Sequence, residues 1–322
     1  MTYVLAVDVG GTKVESALVG LDGRIVPGTR RRADTGAHAA RTPDALGAAV
    51  EHVVAATAAL ADIEALAGVG IASAGPIDAA EGRVSPLNLP AAQGYAIVDH
   101  VRRITGVGRV ELQLDGAAIA RAEHLFGAAR GVRHALVMVV STGVGGGLVV
   151  DGRVLAGRTG NAGHVGQIIV DRGRPTAAAA TVEGLASGPA TVAYARSLGW
   201  QGATGEDLAA AWAAGDPRAI AAVERSADAV GAGIASVAAL LDLDLVVVGG
   251  GFAGVSPDYV ERVQTAARAY AVPSFAAGTR VVRAALGGEG PLVGAAATIL
   301  PDAGGAWTAP EGATPSPQNG SP

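Results

Sequence analysis

The stretch that decides the fold is YVLAVDVGGTKVESALVG, residues 3–20. Tyr3 to Val9 is an apolar run rich in Val that stops at Gly10-Gly11. Beyond the glycines, Val14, Ser16, Leu18 and Gly20 alternate with Glu15, Ala17 and Val19, and a two-residue period predicts a second strand rather than a helix. Gly10 to Lys13 is therefore expected to be the turn of a β-hairpin. A nucleotide P-loop or a dinucleotide fold would run strand, glycine loop, helix, so both are disfavoured. The pattern returns later. Ala135 to Val140 reads as an apolar strand, Ser141 to Gly147 as a Gly-rich turn and Leu148 to Val150 as a second strand. Asp151-Gly152 then suits a two-residue hairpin before Arg153 to Leu155. A strand, glycine turn and strand occurring twice predicts an α/β protein with a weak internal repeat, one copy per lobe.

Length agrees with two lobes, because 322 residues exceed one small domain. Hydrophobic residues make up 50% and aromatics only 3%, so the cores must be built from Ala, Val, Leu and Ile. The net charge is −5 and Lys13 is the sole lysine, which leaves no basic footprint for nucleic acid. With no cysteine, a disulfide framework and a thiolate zinc site are excluded. The N-terminus lacks a signal-peptide pattern, and no apolar run reaches the roughly 18 residues of a membrane span. A soluble, cytoplasmic protein is expected.

Between the two hairpins, a helix is predicted from Thr42 to Asp62, with Thr42 as N-cap and Pro43 in the first turn. Leu66 to Ala72 reads as a strand, Ile97 to Thr105 as a helix, Arg109 to Leu114 as a strand and Gly116 to Phe126 as a helix behind Asp115. Farther on, Gly205 to Ala214 and Pro217 to Leu241 read as Ala-rich helices. Leu243 to Val248 reads as a strand running into Gly249-Gly250-Gly251, and Asp302 to Pro322 as a flexible tail.

Successive glycines in a short turn expose backbone N–H groups that converge on an anion. Thr12 adds a hydroxyl and Lys13 a charge to the first turn, and STGVGGG offers the same donors from the second. Each turn alone is also compatible with ordinary hairpin glycine; the matched pair points to a phosphate clamp. Asp8, at the end of strand one, can hold Mg²⁺ directly or through water. Asp115 stands at a strand end before a helix, where a carboxylate serves as a cap or accepts the proton of an attacking hydroxyl. Gly249 to Gly251 would admit a flat ring to the backbone, or simply start a helix.

In order, DVGGTK, GIASAGPID, the Asp115 segment ending in RAEHLFGAARG, STGVGGGLVVDG, NAGHVGQ and VVVGGG resemble the ROK family of bacterial sugar kinases and repressors over roughly Tyr3 to Leu300. The resemblance implies an actin-like, hexokinase-type fold of two ribonuclease-H-like lobes around a cleft holding ATP, Mg²⁺ and sugar. Residues 1–113, joined by a helix at 290–300, would form the small lobe and 114–289 the large one. ATP phosphate contacts would come from Asp8, Gly10, Gly11, Thr12 and Lys13 and from Thr142, Gly143, Gly145 and Gly146. Gly249, Gly250 and Gly251 would face the adenosine. Asp115 would be the catalytic base, and Gly75, Asn88, His164, Gln167 and Glu183 would join it around the sugar. Repressor members carry a helix-turn-helix before strand one, for which this sequence leaves no room. A homodimer is expected.

Four departures bear on the substrate. Leu114 replaces the Asn that usually precedes the catalytic Asp, removing a polar ligand. His164 and Gln167 stand where the family shows Glu-x-x-His, although a hydrogen-bonded loop His and a solvated strand residue are the plain alternatives. AGH with STGVGGG resembles N-acetylmannosamine kinases, which keep the later His. The family's zinc loop falls at DRGRPTAAAATVEG, which contains no cysteine or histidine, so no zinc is expected. Glu183, a sugar ligand by resemblance, also fits as a helix-start carboxylate. The expected activity is ATP-dependent phosphorylation of the 6-hydroxyl of a hexose or aminohexose of the glucose, N-acetylmannosamine or kanosamine type. The alternative is a catalytically weak, sugar-responsive binding protein.

Overall fold

A computed structural model describes residues 2–35, 42–87 and 89–300. Asn88 and the expected tail at 302–322 lie outside the described residues. The first sheet contains β1 (Tyr3–Val9), β2 (Lys13–Gly20), β3 (Arg31–Asp34) and β4 (Leu66–Ser73). After a ribbon of β5 (Ile77–Asp78) and β6 (Arg83–Val84), it is completed by β7 (Val110–Leu114). The second sheet contains β8 (Ala135–Val140), β9 (Val144–Val150), β10 (Arg153–Val154), β11 (Leu245–Gly249) and β12 (Arg280–Arg283). Their orders, β3-β2-β1-β4-β7 and β10-β9-β8-β11-β12, are the same design twice. In each, three antiparallel strands are followed by two parallel additions. The internal repeat read from the glycine turns is thus a repeat of whole sheets.

The helices are α1 (Pro43–Ala58), α2 (Ile97–Thr105), α3 (Asp115–Phe126), α4 (Ala177–Ala180), α5 (Val182–Ala186) and α6 (Gly188–Ser197). They continue with α7 (Gly205–Ala213), α8 (Pro217–Leu241), α9 (Tyr259–Tyr270), α10 (Ser274–Ala277) and α11 (Gly290–Ala297). Among the described residues no helix is long and apolar enough to cross a membrane. Val4 to Val7 are fully buried, as a strand covered on both faces requires. One face of the first sheet packs on α1 and α2 through Leu46, Val50, Val53, Ile97 and Val101. The other receives α11, whose Leu292, Ala295 and Ala296 pack with Val4, Ala6 and Val19. There the backbones nearly touch, since a Cβ at Gly70 would lie 1.8 Å from the Ala295 carbonyl oxygen. The second sheet packs on α8 through Ala222, Val223, Val230 and Ile234.

Several boundaries differ from those read in the sequence. The second glycine turn is only Ser141 to Gly143, closed by the Ser141 N–H donating to the Gly143 carbonyl at 2.8 Å. Gly145 and Gly146 belong to β9, paired with Val139 and Met138 of β8. Helix α1 ends at Ala58, and Thr42 holds its cap position without a side-chain hydrogen bond. Asp115 is the first residue of α3 rather than its cap, and that position falls to Leu114. Asp151 and Gly152 do form the expected hairpin, with φ of 51° and 74°.

Candidate active site

Helix α3 follows β7 of the first sheet directly and packs on β8 and β9 of the second, so Asp115 sits between the two sheets. Three close backbone approaches hold it there. A Cβ at Gly116 would lie 2.1 Å from the Gly146 carbonyl oxygen, and one at Gly147 would lie 2.5 Å from that of Gly116. A Cβ at Gly163 would stand 2.3 Å from the Gly146 oxygen. These glycines are small because α3, β9 and the 157–164 loop pack backbone to backbone. Asp115 is thereby pinned beside the second turn. Its Oδ1 accepts the Gly116 N–H at 2.6 Å. Burial, reinforced by the negative charge of Glu183, pushes its carboxyl up to about 6 despite that bond. A carboxylate titrating there is ionised near neutral pH and a better base than an ordinary Asp.

Asp8 stands one residue before the end of β1, within electrostatic reach of Asp115. Burial first, then the nearby Asp115, drives its carboxyl up to about 7, with Lys13 opposing. Its carboxyl accepts no side-chain or turn hydrogen bond among the described residues. A buried carboxylate raised in this way gains from a cation, and Mg²⁺ bound to phosphate needs only one or two protein carboxylates. Asp8 therefore fits such an ion. Across the hairpin from Asp8 lies Glu15, buried and paired in register with it. Arg30 donates to Glu15 at 3.1 and 3.2 Å, and Lys13 donates to the same carboxylate. Burial alone would raise Glu15; these cations hold it below the usual range. Lys13 is thus anchored on β2, just past the Gly10–Thr12 turn, where Gly10 N–H donates to its carbonyl at 2.9 Å.

The sugar-facing candidates come from both lobes. A Cβ at Gly75 would lie 2.6 Å from Leu114 Cδ1 and 3.2 Å from His164 Cε1, so these three residues meet. His164 and Gln167 are exposed and flank a single turn, Val165–Gln167. Gln167 Nε2 donates to Glu183 Oε1 at 3.2 Å. Leu114, which replaces the usual polar residue before the Asp, is 1% exposed and packs in the core of the first sheet. Asn161 was quoted within NAGHVGQ without a role. Its Oδ1 accepts the Ile77 N–H at 2.9 Å and its Nδ2 donates to the Ile77 carbonyl at 2.8 Å, clamping β5 to the 157–164 loop.

Beyond the second turn opens a cavity of about 630 Å³ whose lining includes Thr142, Gly188, Arg196, Glu206, Gly251 and Phe252. Of the late glycine run only Gly251 reaches it. Gly249 ends β11, and Gly250, at φ 96°, has its Cα so near the Val140 carbonyl that a Cβ would stand 2.3 Å from the oxygen. Arg196 and Glu206 lie on Ala-rich helices that carried no sequence signal for a site. Where the zinc loop was expected, Thr176 caps α4 and Thr181 caps α5, the latter accepting the Gly184 N–H at 3.0 Å.

Two five-stranded sheets of the same order, each with three antiparallel strands continued by two parallel ones, define the actin-like, hexokinase-type fold. A model of the ROK family matches residues 4–301, and the chain belongs to that family. An N-acetylmannosamine kinase of Citrobacter koseri is 35% identical over 263 residues, spanning 81% of this chain and 87% of that protein. A ROK hexokinase from Thermus thermophilus superposes with a TM-score of 0.76 at 32% identity, covering 92% of this chain and 97% of that one. A ROK glucokinase from Streptomyces griseus, solved with glucose and AMPPNP, gives 0.79 at 28% identity, covering 91% and 98%.

Proposed function

We propose that this chain is an ATP-dependent sugar kinase that phosphorylates the 6-hydroxyl of a hexose or aminohexose, with Asp115 as general base. The observation that supports this is Asp115 at the start of α3, where Gly116 packs on Gly146 of β9 and burial together with Glu183 raises its carboxyl, next in sequence to Leu114, which meets Gly75 and His164. The sugar hydroxyl gives its proton to the Asp115 carboxylate as its oxygen bonds to the γ-phosphorus. The bond from that phosphorus to the β–γ bridging oxygen breaks, and its electron pair leaves with ADP. Gly10, Gly11, Thr12 and Lys13 on one wall and Thr142 and Gly143 on the other would hold the phosphates. Gly145 and Gly146 support that turn from within β9, while Gly249, Gly250 and Gly251 lead to the nucleoside cavity. Gly75, Asn88, His164, Gln167 and Glu183 are the proposed sugar contacts. Asp8 would hold Mg²⁺, which supplies charge neutralisation at the transferring phosphoryl group. Closure of the lobes over the sugar would exclude water that could hydrolyse ATP.

Kinship with N-acetylmannosamine kinases and the His164 substitution favour an amino sugar. His164 both donates and accepts, whereas a carboxylate only accepts. The lobes would divide at residues 113 and 114, with α11 returning to the first lobe, which its packing on β1 and β4 supports. A cytoplasmic homodimer is part of the same proposal. Coupled ADP-release assays over glucose, N-acetylmannosamine, kanosamine and related hexoses test it. The expected result is sugar-dependent ADP release, with an amino or N-acylamino hexose giving higher kcat/KM than glucose. Sugar binding without ADP release from any member of the panel would favour the binding-protein alternative instead.

A further inference from the structure

Glu183 makes contacts that a sugar ligand does not need. Its Oε2 accepts the Val144 N–H at 2.8 Å, the first peptide of β9 after the Ser141–Gly143 turn. The same oxygen would lie 2.7 Å from a Cβ at Gly143, so the carboxylate rests on the turn itself. Its Oε1 takes the Gln167 amide at 3.2 Å, in the segment that carries His164. The side chain is half-buried, and its backbone is fixed by the Thr181 cap and by Val182 N–H donating to the Ile168 carbonyl at 2.9 Å. One rigid carboxylate therefore bridges the turn expected to hold phosphate and the segment expected to hold sugar. We propose that Glu183 is a positioning residue that locks the Ser141–Gly143 turn into its nucleotide-binding shape and ties that shape to the sugar-facing segment. The proposal rests on the kinase assignment above and adds a role toward the nucleotide. A carboxylate-accepted backbone hydrogen bond is among the stronger ones, and its loss leaves the Val144 N–H unpaired at the base of the turn.

The test is calorimetric titration of Mg²⁺ with a non-hydrolysable ATP analogue into the full chain with no sugar present. Wild type, Glu183→Ala, Glu183→Asp and Glu183→Gln are compared. Glu183→Ala and the shorter Glu183→Asp should bind the analogue about tenfold more weakly. Glu183→Gln retains an amide oxygen that can accept from Val144 and should stay within about twofold. A residue that acted only on sugar, or only on folding, would not produce this split between Gln and Asp. Equal nucleotide affinity in all four proteins, or Gln as weak as Ala, would overturn the proposal while leaving the kinase assignment standing. Failure of the wild type to bind the analogue would defeat the kinase assignment itself.

Discussion

Replacing Asp115 by Asn separates catalysis from stability more sharply than any other change in this protein. The carboxyl is raised from 3.8 to about 6, chiefly by burial. Between those two values the folded protein binds the proton more tightly than the unfolded chain, so stability falls as pH rises through that window. At pH 7.5 the ionised group costs the ligand-free protein at most about 3 kcal/mol, from roughly 1.4 kcal/mol per pH unit. Asparagine removes the charge yet keeps an oxygen for the Gly116 N–H, which Asp115 accepts at 2.6 Å. The Tm of Asp115→Asn should therefore equal or exceed that of wild type at pH 7.5, and the gap should shrink to about half by pH 5 and close only below about pH 4, where Asp115 is protonated in the unfolded chain as well. Turnover should fall by about 10²–10⁴ without a base. In wild type, kcat/KM should drop about tenfold per pH unit below pH 6 and level off above pH 7. Coupled ADP release and thermal melts at these pH values measure all of this. Near-normal turnover with a lower Tm would refute the reasoning and leave Asp115 as a helix-start residue worth about 1 kcal/mol.

Since Lys13 is the only lysine, amine acylation followed by peptide mapping reports on it directly, and Mg²⁺ with ATP should protect it. Lys13→Met should raise KM for ATP about tenfold or more, and an unchanged KM would remove it from the phosphate site. Gly147→Ala would place a Cβ 2.5 Å from the Gly116 oxygen. It should lower stability by about 1–3 kcal/mol and reduce kcat by displacing α3, whereas normal melting and turnover would contradict the packing argument. Leu114→Asn should destabilise the protein by about 2–5 kcal/mol, because an amide would replace a core side chain, and a stable variant with altered sugar preference would show that Leu114 does face the ring. Purified protein should carry no stoichiometric zinc, and a chelator should leave its Tm unchanged in Mg²⁺-free buffer; one equivalent of tight zinc would overturn the account of residues 171–183.

Legibility followed the range of the forces involved. The β1–β2 hairpin was readable because its alternation and its glycine turn are local, and Pro217–Leu241 was readable because an Asp216 cap and Pro217 open an Ala-rich helix of 25 residues. Strand β3 was missed, since Arg31 to Asp34 is a charged edge strand defined only by pairing with Lys13 to Ser16. The glycines of GVGGG were assigned to a turn because glycine carries no periodic signal. Their place in β9 comes from β8 on one side and from α3 pressing on Gly147. The motifs named Asp115, Gly75, His164 and Glu183 as candidates, yet the contact from Glu183 to Val144 spans 39 residues and no spacing rule reveals it. The packing of Leu114 was not readable for a related reason: its burial comes from the first sheet's core, whose partners lie far away in sequence.

The distribution of charge connects these observations. Asp8, Asp115 and Glu183 place three carboxylates around the cleft, and each of the first two raises or is raised by a neighbour. Against them stand Lys13 and Arg30, both bound to Glu15. A bare polyphosphate would meet a field of its own sign, so a nucleotide is admitted far better as its Mg²⁺ complex, with Asp8 turned from a source of repulsion into a ligand. Asp8 would hold that cation, and the basicity of Asp115 rests on burial and on Glu183; under the proposal above, Glu183 would both raise the base and hold the turn through Val144. A sugar pocket assembled around such a group would be constrained on the nucleotide side and at Gln167, which is tied to Glu183, leaving the exposed His164 as the position free to vary with the substrate.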